Sequence, residues 1–141
     1  SEENNLKINY INSSPERLKE KEEFDIILNL EIIEHVEDVK LYIDSCSKLL
    51  KKDGLMFTAT LNRTVVSYIK AIVGAEYVLR WLPIGTHDWN KFIRPEELEK
   101  KLSIANFKTI EIKGLEFNPF NKKWKKSDNL SVNYIICSSK I

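Results

Sequence analysis

The sequence predicts an α/β fold in which a parallel sheet ends in an antiparallel edge strand. Residues 24–30, Phe-Asp-Ile-Ile-Leu-Asn-Leu, are almost continuously apolar, which is typical of a strand buried on both faces of a parallel sheet. Strand-like and helix-like segments then alternate as far as residue 106, and two further strand-like segments close the sequence. A β-α-β alternation that ends in a strand pair favours such a mixed sheet.

The composition is that of one soluble globular domain spanning residues 1–141. The chain is 43% hydrophobic and 30% charged, which is too apolar for a disordered protein. Its formal net charge of +1 creates no field that would attract nucleic acid, so we expect no nucleic-acid partner. No run reaches the roughly 20 apolar residues that span a bilayer. The first residue is Ser rather than Met, and we expect an N-terminally truncated domain.

The first elements are short. Leu6, Ile8 and Tyr10 alternate with polar residues, which predicts a strand. Pro15 and Glu16 open a turn of helix or a loop, and the buried strand 24–30 follows.

The next unit is a helix followed by a strand. Asp38 is a suitable N-cap, because its carboxylate can accept a hydrogen bond from an amide of the first turn. Gly54 is expected to supply the C-terminal turn, and residues 55–61 predict a strand. The apolar face of the helix consists of Val39, Tyr42, Ile43, Cys46, Leu49 and Leu50.

The C-terminal part predicts a helix and two strands. Pro95 at a first helical position starts a helix that ends near Asn106. Residues 107–117 and 131–139 then predict strands. The connection between them carries Lys122, Lys123, Lys125 and Lys126, and we expect it to be the solvated tip of a hairpin.

The segment 63–92 is an insertion that follows a predicted strand end. Open α/β sheets place their active sites at such ends. Its apolar residues are interrupted by Lys70, Glu76 and Arg80, so it cannot span a membrane. A lid, a helix pair at a membrane interface, and an ordinary piece of core all fit this pattern.

Two carboxylates and an imidazole, Glu31, Glu34 and His35, follow the buried strand. If the turn there is helical, spacings of three and four residues place them on one face. The oxygen ligands suit Mg²⁺, and the imidazole extends the choice to Zn²⁺ or Mn²⁺. Such a cation would lower the pKa of a bound phenol. Alternatively, this is a polar loop whose side chains satisfy amides of the next helix.

His87 lies in Gly-Thr-His-Asp-Trp near the end of the insertion. An imidazole has a pKa suited to general-base catalysis near neutral pH. Equally, His87 could anchor the loop by hydrogen bonds.

The strand 24–30 and the following Glu-Ile-Ile-Glu-His-Val resemble the fourth strand and loop of class I S-adenosylmethionine-dependent methyltransferases. Further segments closely resemble the bacterial and mitochondrial O-methyltransferases that act on polyprenyl catechols in ubiquinone synthesis. The resemblance runs over essentially the whole chain. Its segments are 60–63 (Thr-Leu-Asn-Arg), 72–79, 82–83, 85–89 (Gly-Thr-His-Asp-Trp), 91–98, 114–115, 118–119 and 132–134.

This resemblance implies S-adenosylmethionine-dependent O-methylation of a polyprenyl catechol. Leu30 matches a family position that contacts the cofactor, and Ser14, Pro15 and Glu16 match the loop that borders its adenine. Glu31, Glu34 and His35 match a Glu-x-x-Glu-His pattern of metal-stimulated members, in which Glu34 would help to deprotonate the acceptor. The insertion 63–92 matches a region associated with membrane lipid. The resemblance thus implies a cytoplasmic enzyme peripheral to the inner membrane, or one on the matrix side in mitochondria.

The chain also departs from that family. Its four glycines, Gly54, Gly74, Gly85 and Gly114, form no glycine-rich cofactor loop, so we expect an incomplete Rossmann-like sheet that lacks the N-terminal strands. This piece alone should bind S-adenosylmethionine weakly or not at all. The apolar strand edge at residues 26–29 would be exposed and could form a homodimer. Two alternatives remain open: a methyltransferase with another small acceptor, and a non-catalytic lipid-binding or interaction module.

Overall fold

The computed structural model describes residues 7–18, 24–78, 80, 83, 85–86, 88–118 and 123–141, and within them a mixed five-stranded sheet. The strand order is β1-β2-β5-β3-β4, with β1 and β2 parallel and the other pairs antiparallel. This confirms the predicted fold class. The strands are β1 (Phe24–Leu30), β2 (Leu50–Leu61), β3 (Phe107–Asn118), β4 (Lys123–Ser127) and β5 (Asn133–Lys140).

Two helices cover one face of the sheet. Helix α1 (Val39–Leu49) begins as predicted, because the Asp38 carboxylate accepts a hydrogen bond from the amide of Leu41 at 3.0 Å. Helix α3 (Pro95–Ile104) has proline in its first turn. Alternate residues of β2 and β5 point towards both helices. The core includes Tyr42, Ile43, Cys46, Met56, Leu98, Leu102, Phe107, Tyr134 and Ile136.

The other face of β1 is open. Ile26 and Leu28 keep 55% and 59% of their surface exposed, and Leu30 is exposed as well. Among the described strands, β1 pairs only with β2 and forms one edge of the sheet. The expectation of an exposed apolar edge holds for Ile26 and Leu28 but not for Asn29, which is buried, and dimerisation through the edge stays a prediction.

Three local predictions were wrong. Residues 7–10 form no strand, so alternation over so few residues was not sufficient. Gly54 lies inside β2, which begins directly after α1, and a Cβ there would stand 2.8 Å from Leu50 Cγ. The glycine is thus required by a close approach rather than by a helix end. Finally, the lysine-rich connection contains strand β4, which pairs with β3.

The insertion starts with a short helix, α2 (Val65–Ser67), and continues as the π-helical segment Tyr68–Val78. Thr64 and Ser67 form a reciprocal capping box at its start. An ordinary amphipathic helix buries its apolar side chains and exposes its polar ones. In this segment the polar side chains of Ser67 and Glu76 are buried instead. Among the apolar side chains of residues 65–78 whose burial the structure describes, only Ile72 is buried, whereas Val65, Val66, Tyr68, Ile69, Val73, Tyr77 and Val78 are exposed.

Candidate active site

The candidate site lies at the edge of the sheet where the parallel strands β1 and β2 end. The amide of Glu31 donates to the carbonyl of Ala59 at 3.0 Å, which continues the strand pairing by one residue. Glu31 itself has a left-handed backbone conformation with φ of 53°. This conformation is unfavourable for a residue with a Cβ and turns the chain sharply out of the sheet. A 3₁₀ turn, Ile33–His35, follows.

Glu34 is a carboxylate buried inside the protein, with 3% of its surface exposed. Its Oε2 accepts a hydrogen bond from Thr60 Oγ1 on β2 at 2.8 Å. Its Oε1 is also buried, and the described residues offer it no amide or hydroxyl donor. A buried acceptor without a donor is unfavourable by about 1–3 kcal/mol. Glu34 is therefore fixed through Oε2, while Oε1 is enclosed by the protein.

The Glu31 carboxyl lies beside Glu34. Partial burial of that carboxyl raises the pKa of Glu31 to about 7, and the negative charge of Glu34 and a side-chain hydrogen bond with it act in the same direction. The raised pKa keeps the Glu31 carboxyl partly protonated near neutral pH, because a second negative charge beside Glu34 is unfavourable. The predicted helical face does not form, since the turn starts only at Ile33. The two carboxyls meet because of the left-handed conformation of Glu31 instead.

His35 does not complete a three-ligand metal site with this pair. The residue is solvent-exposed at the end of the 3₁₀ turn. In the described parts of the chain, no three His, Cys, Asp or Glu side chains are arranged to hold a metal ion. The structure therefore shows a two-carboxyl group where the sequence suggested three ligands.

The predicted cofactor residues occupy two places. Leu30, the last residue of β1, exposes its side chain on the open face of the sheet. Ser14 and Pro15 are half-buried at a 3₁₀ turn, Pro15–Arg17, as expected from the proline. Glu16 is exposed; burial raises the pKa of Tyr42 and of Cys46 on α1, and the charge of Glu16 acts in the same direction. The turn thus lies near the α1 side of the sheet.

Two cavities adjoin the carboxyl pair and the insertion. One of about 290 Å³ is lined by Glu34, Phe92 and the Arg63–Glu97 ion pair. The other, of about 550 Å³, also contacts Arg63. Its further lining includes Asn62, Thr64, Val65, Trp89 and Arg94. Arg63 lines both cavities, and Glu34 lines the smaller one, where an acceptor could approach it.

His87, the other candidate base, lies outside the described residues. Its neighbours are held on both sides. The amide of Gly85 donates to Glu76 Oε2 at 2.7 Å, and Trp89 Nε1 donates to the carbonyl of Thr64 at 3.0 Å. Both candidate roles of His87 remain predictions.

Sequence reasoning missed the polar groups that face the core from the strands. Asn29 is buried and accepts a hydrogen bond from Tyr42 Oη at 2.8 Å. Thr60 positions Glu34, and Tyr134 Oη donates to the carbonyl of Ile93 at 2.9 Å. A polar residue within a run predicted to be buried on both faces was the available signal, since such groups require partners.

Curated relatives match nearly all of the chain. The protein of Pelagibacter ubique named "Ubiquinone biosynthesis O-methyltransferase" is 53% identical over 135 residues, which are 96% of this chain and 56% of that protein. The Bartonella bacilliformis protein of the same name is 53% identical over 93% of this chain and 53% of its own length. The chain thus spans about half the length of the curated relatives that it matches.

Solved structures share the fold. A Thermotoga maritima SAM-dependent methyltransferase, described as a possible histamine N-methyltransferase, superposes with a TM-score of 0.63 at 20% identity. The match covers 92% of this chain and 62% of that one. Magnesium protoporphyrin IX methyltransferase from Synechocystis, solved with bound SAH, gives 0.58 at 14% identity over 92% of this chain and 49% of its own.

A family model described as "Methyltransferase domain" matches residues 2–112. This range includes β1, the carboxyl pair, β2, the insertion and α3. The chain belongs to the methyltransferase-domain family.

Proposed function

We propose that the intact protein transfers a methyl group from S-adenosylmethionine to a ring hydroxyl of a polyprenylated catechol in ubiquinone biosynthesis. The observation that carries this proposal is the 53% identity over 96% of the chain with a relative of that name. The geometry supports it, because a carboxyl pair and a cavity adjoin each other at the edge of the sheet where β1 and β2 end. Active sites of open α/β sheets lie at that edge.

Four residues of this chain would help to bind the methyl donor: Leu30, Ser14, Pro15 and Glu16. S-adenosylmethionine supplies the electrophilic methyl group when it is bound. The exposed apolar side chain of Leu30 fits a packing contact, and the half-buried turn at Ser14 and Pro15 fits a border of a pocket. The 141 residues alone contain no glycine-rich loop and should bind the donor weakly. Micromolar affinity of this piece in calorimetry would refute that statement.

Glu34 is the group best placed to act on the acceptor. Thr60 fixes one of its oxygens, and the other has no donor among the described residues. Glu34, which lines the cavity of about 290 Å³, would accept the phenolic proton. The phenolate oxygen then attacks the sulfonium methyl in line, the S–CH₃ bond breaks, and S-adenosylhomocysteine leaves as a neutral thioether. Positioning and proton removal supply most of the acceleration. His87 is the alternative base.

The carboxyl pair fits Mg²⁺ better than Zn²⁺. Glu31 and Glu34 offer oxygen ligands, and Glu34 Oε1 is a buried acceptor without a donor among the described residues. Mg²⁺ commonly binds one or two protein carboxylates and retains several waters. Zn²⁺ sites use at least three protein ligands, which the described residues do not bring together. A bound cation would supply Lewis acidity that lowers the pKa of the catechol.

The insertion 63–92 would bring the enzyme to the bilayer in which the isoprenoid tail lies. Val65 and Val78 are 71% and 70% exposed, and five further apolar side chains of this segment are exposed as well. Buried methylenes contribute about 0.8 kcal/mol each to interfacial binding, so a few side chains suffice for reversible contact. No helix in the described ranges has the length and hydropathy needed to cross a bilayer. The exposed apolar side chains of the insertion support a location peripheral to the membrane.

The test is a methyl-transfer assay with the intact protein, labelled S-adenosylmethionine and a short-tailed catechol. Histamine serves as a contrasting acceptor, because a structural neighbour is described as a possible histamine N-methyltransferase. The proposal predicts methylation of the catechol oxygen alone. Transfer to histamine without transfer to the catechol would reject it. Sedimentation of the 141-residue chain at micromolar concentration tests the proposed dimerisation through the β1 edge; a dimer is expected, and a monomer would contradict it.

A further inference from the structure

The β3–β4 hairpin projects from the same edge of the sheet as the insertion. Strand β3 runs in the direction of β2, because both are antiparallel to β5. Its C-terminal end at residues 114–118 therefore lies at the edge where β2 ends, and it pairs there with β4. The insertion begins at the same edge, directly after Leu61.

The hairpin carries an exposed indole among exposed ammonium groups. Trp124 is 63% exposed on β4, and Lys123, Lys125 and Lys126 are exposed beside it. Lys125 forms an ion pair with Glu116 at 3.2 Å, but the lysine side chain stays 67% exposed. A tryptophan between lysines is typical of proteins that lie at a membrane interface.

The hairpin and the insertion border one cleft. Lys70 of the π-helical segment, Leu115 of β3 and Trp124 of β4 all line a space of about 380 Å³. Ile69 and Val73, close to Lys70 in sequence, are exposed apolar side chains. Basic and apolar exposed groups of two separate elements thus meet at one edge of the molecule.

We propose that the β3–β4 hairpin is a second membrane-contacting element, with its lysines on anionic lipid headgroups and Trp124 at the headgroup level. This inference rests on the membrane contact in the proposed function and extends it to a separate element. The exposed indole of Trp124 on the hairpin and the exposed Ile69 and Val73 of the neighbouring segment favour a lipid surface over nucleic acid, which offers no apolar phase. Because the formal net charge of the whole chain is only +1, the electrostatic attraction to anionic lipid would come from the hairpin lysines themselves.

The test is flotation of the intact protein with phosphatidylcholine vesicles that contain or lack phosphatidylglycerol. The variant replaces Lys123, Lys125 and Lys126 by Gln. Each lysine near an anionic surface raises the binding constant about fivefold. Removal of all three should therefore weaken binding to the anionic vesicles by roughly 100-fold. Binding to neutral vesicles should stay unchanged. Trp124→Ala should lower binding to both kinds of vesicle.

The matched control replaces Lys48, Lys52 and Lys108 by Gln. These three exposed lysines lie at the ends of α1, β2 and β3 that face away from the hairpin, and the change in net charge is identical. Equal losses in both triple variants, or none in the hairpin variant, would overturn the inference. So would wild-type protein that binds no vesicles, and in that case the proposed membrane contact also fails. Methyl transfer to a soluble short-tailed catechol without vesicles should persist in every variant, and its absence from the wild type would reject the catalytic proposal separately.

Discussion

Replacing Glu31 by Gln should remove a pH dependence of stability that the carboxyl pair creates. The pKa of Glu31 is raised from 4.5 to about 7, first by burial of the carboxyl and then by the charge of Glu34 and the hydrogen bond with it. Between these two values the folded protein binds more protons than the unfolded chain. The resulting stabilisation is complete below about pH 4.5 and is lost as the pH rises through about 7.

The size of the effect follows from that shift. At roughly 1.4 kcal/mol per unit of pKa, the rise in the pKa of Glu31 corresponds to about 3 kcal/mol. Glu31 as a residue is solvent-exposed at the rim of the sheet, and screening by water reduces the effect on the free energy of unfolding to about 1–2 kcal/mol. The Gln variant should therefore be more stable than wild type by about 1–2 kcal/mol at pH 8, since it carries no second negative charge beside Glu34.

The assay is urea unfolding of the intact protein, followed by circular dichroism at several values between pH 4.5 and pH 8. Glu111→Gln is the matched control, because Glu111 is an exposed carboxylate in the middle of β3. Wild type and the control should lose stability over this range relative to Glu31→Gln. Parallel curves for all three proteins would show that the two carboxyls do not interact, and the reasoning would be refuted.

Three further substitutions test the packing of the site and of the hairpin. Thr60→Val removes the hydroxyl that donates to Glu34 Oε2 and should lower the free energy of unfolding by about 1–3 kcal/mol; in urea unfolding, a loss below about 0.5 kcal/mol would count against that hydrogen bond. Gly114→Ala places a Cβ 1.9 Å from the carbonyl oxygen of Asn129, so the melting temperature should fall by several degrees or the protein should fail to fold. Gly74→Ala is its control, because there the nearest atom lies at 3.4 Å, and it should be neutral or stabilising by up to about 1 kcal/mol in the same melts.

Long periodic segments of the sequence predicted the fold correctly. The apolar run that forms β1, the Asp38 cap of α1 and Pro95 at the start of α3 act through local physics, and the structure confirms these three elements. The predicted burial of β1 on both faces was wrong, because Ile26, Leu28 and Leu30 are exposed. The short alternation at residues 6–10 and the lysine-rich connection were misjudged. Pairing with β3 gives residues 123–127 their strand conformation, and such a tertiary partner is not visible in the local sequence.

The candidate site was predicted in part. Sequence spacing selected Glu31 and Glu34 on the assumption of a helical turn, yet the left-handed backbone of Glu31 brings them together. A positive φ at a non-glycine residue has no reliable sequence signal. Thr60 is 26 residues from Glu34 in sequence, so only the parallel pairing of β1 with β2 reveals that it positions this carboxylate.

Methyl transfer by the intact Glu34→Gln protein tests the central claim most directly. With S-adenosylmethionine and a short-tailed catechol, kcat should fall by about 10²-fold or more, and added Mg²⁺ or chelator should no longer change the rate. Glu111→Gln, with the same loss of one charge, should keep the wild-type kcat. A Glu34→Gln protein with wild-type kcat would contradict the assignment of the carboxyl pair as the group that activates the acceptor.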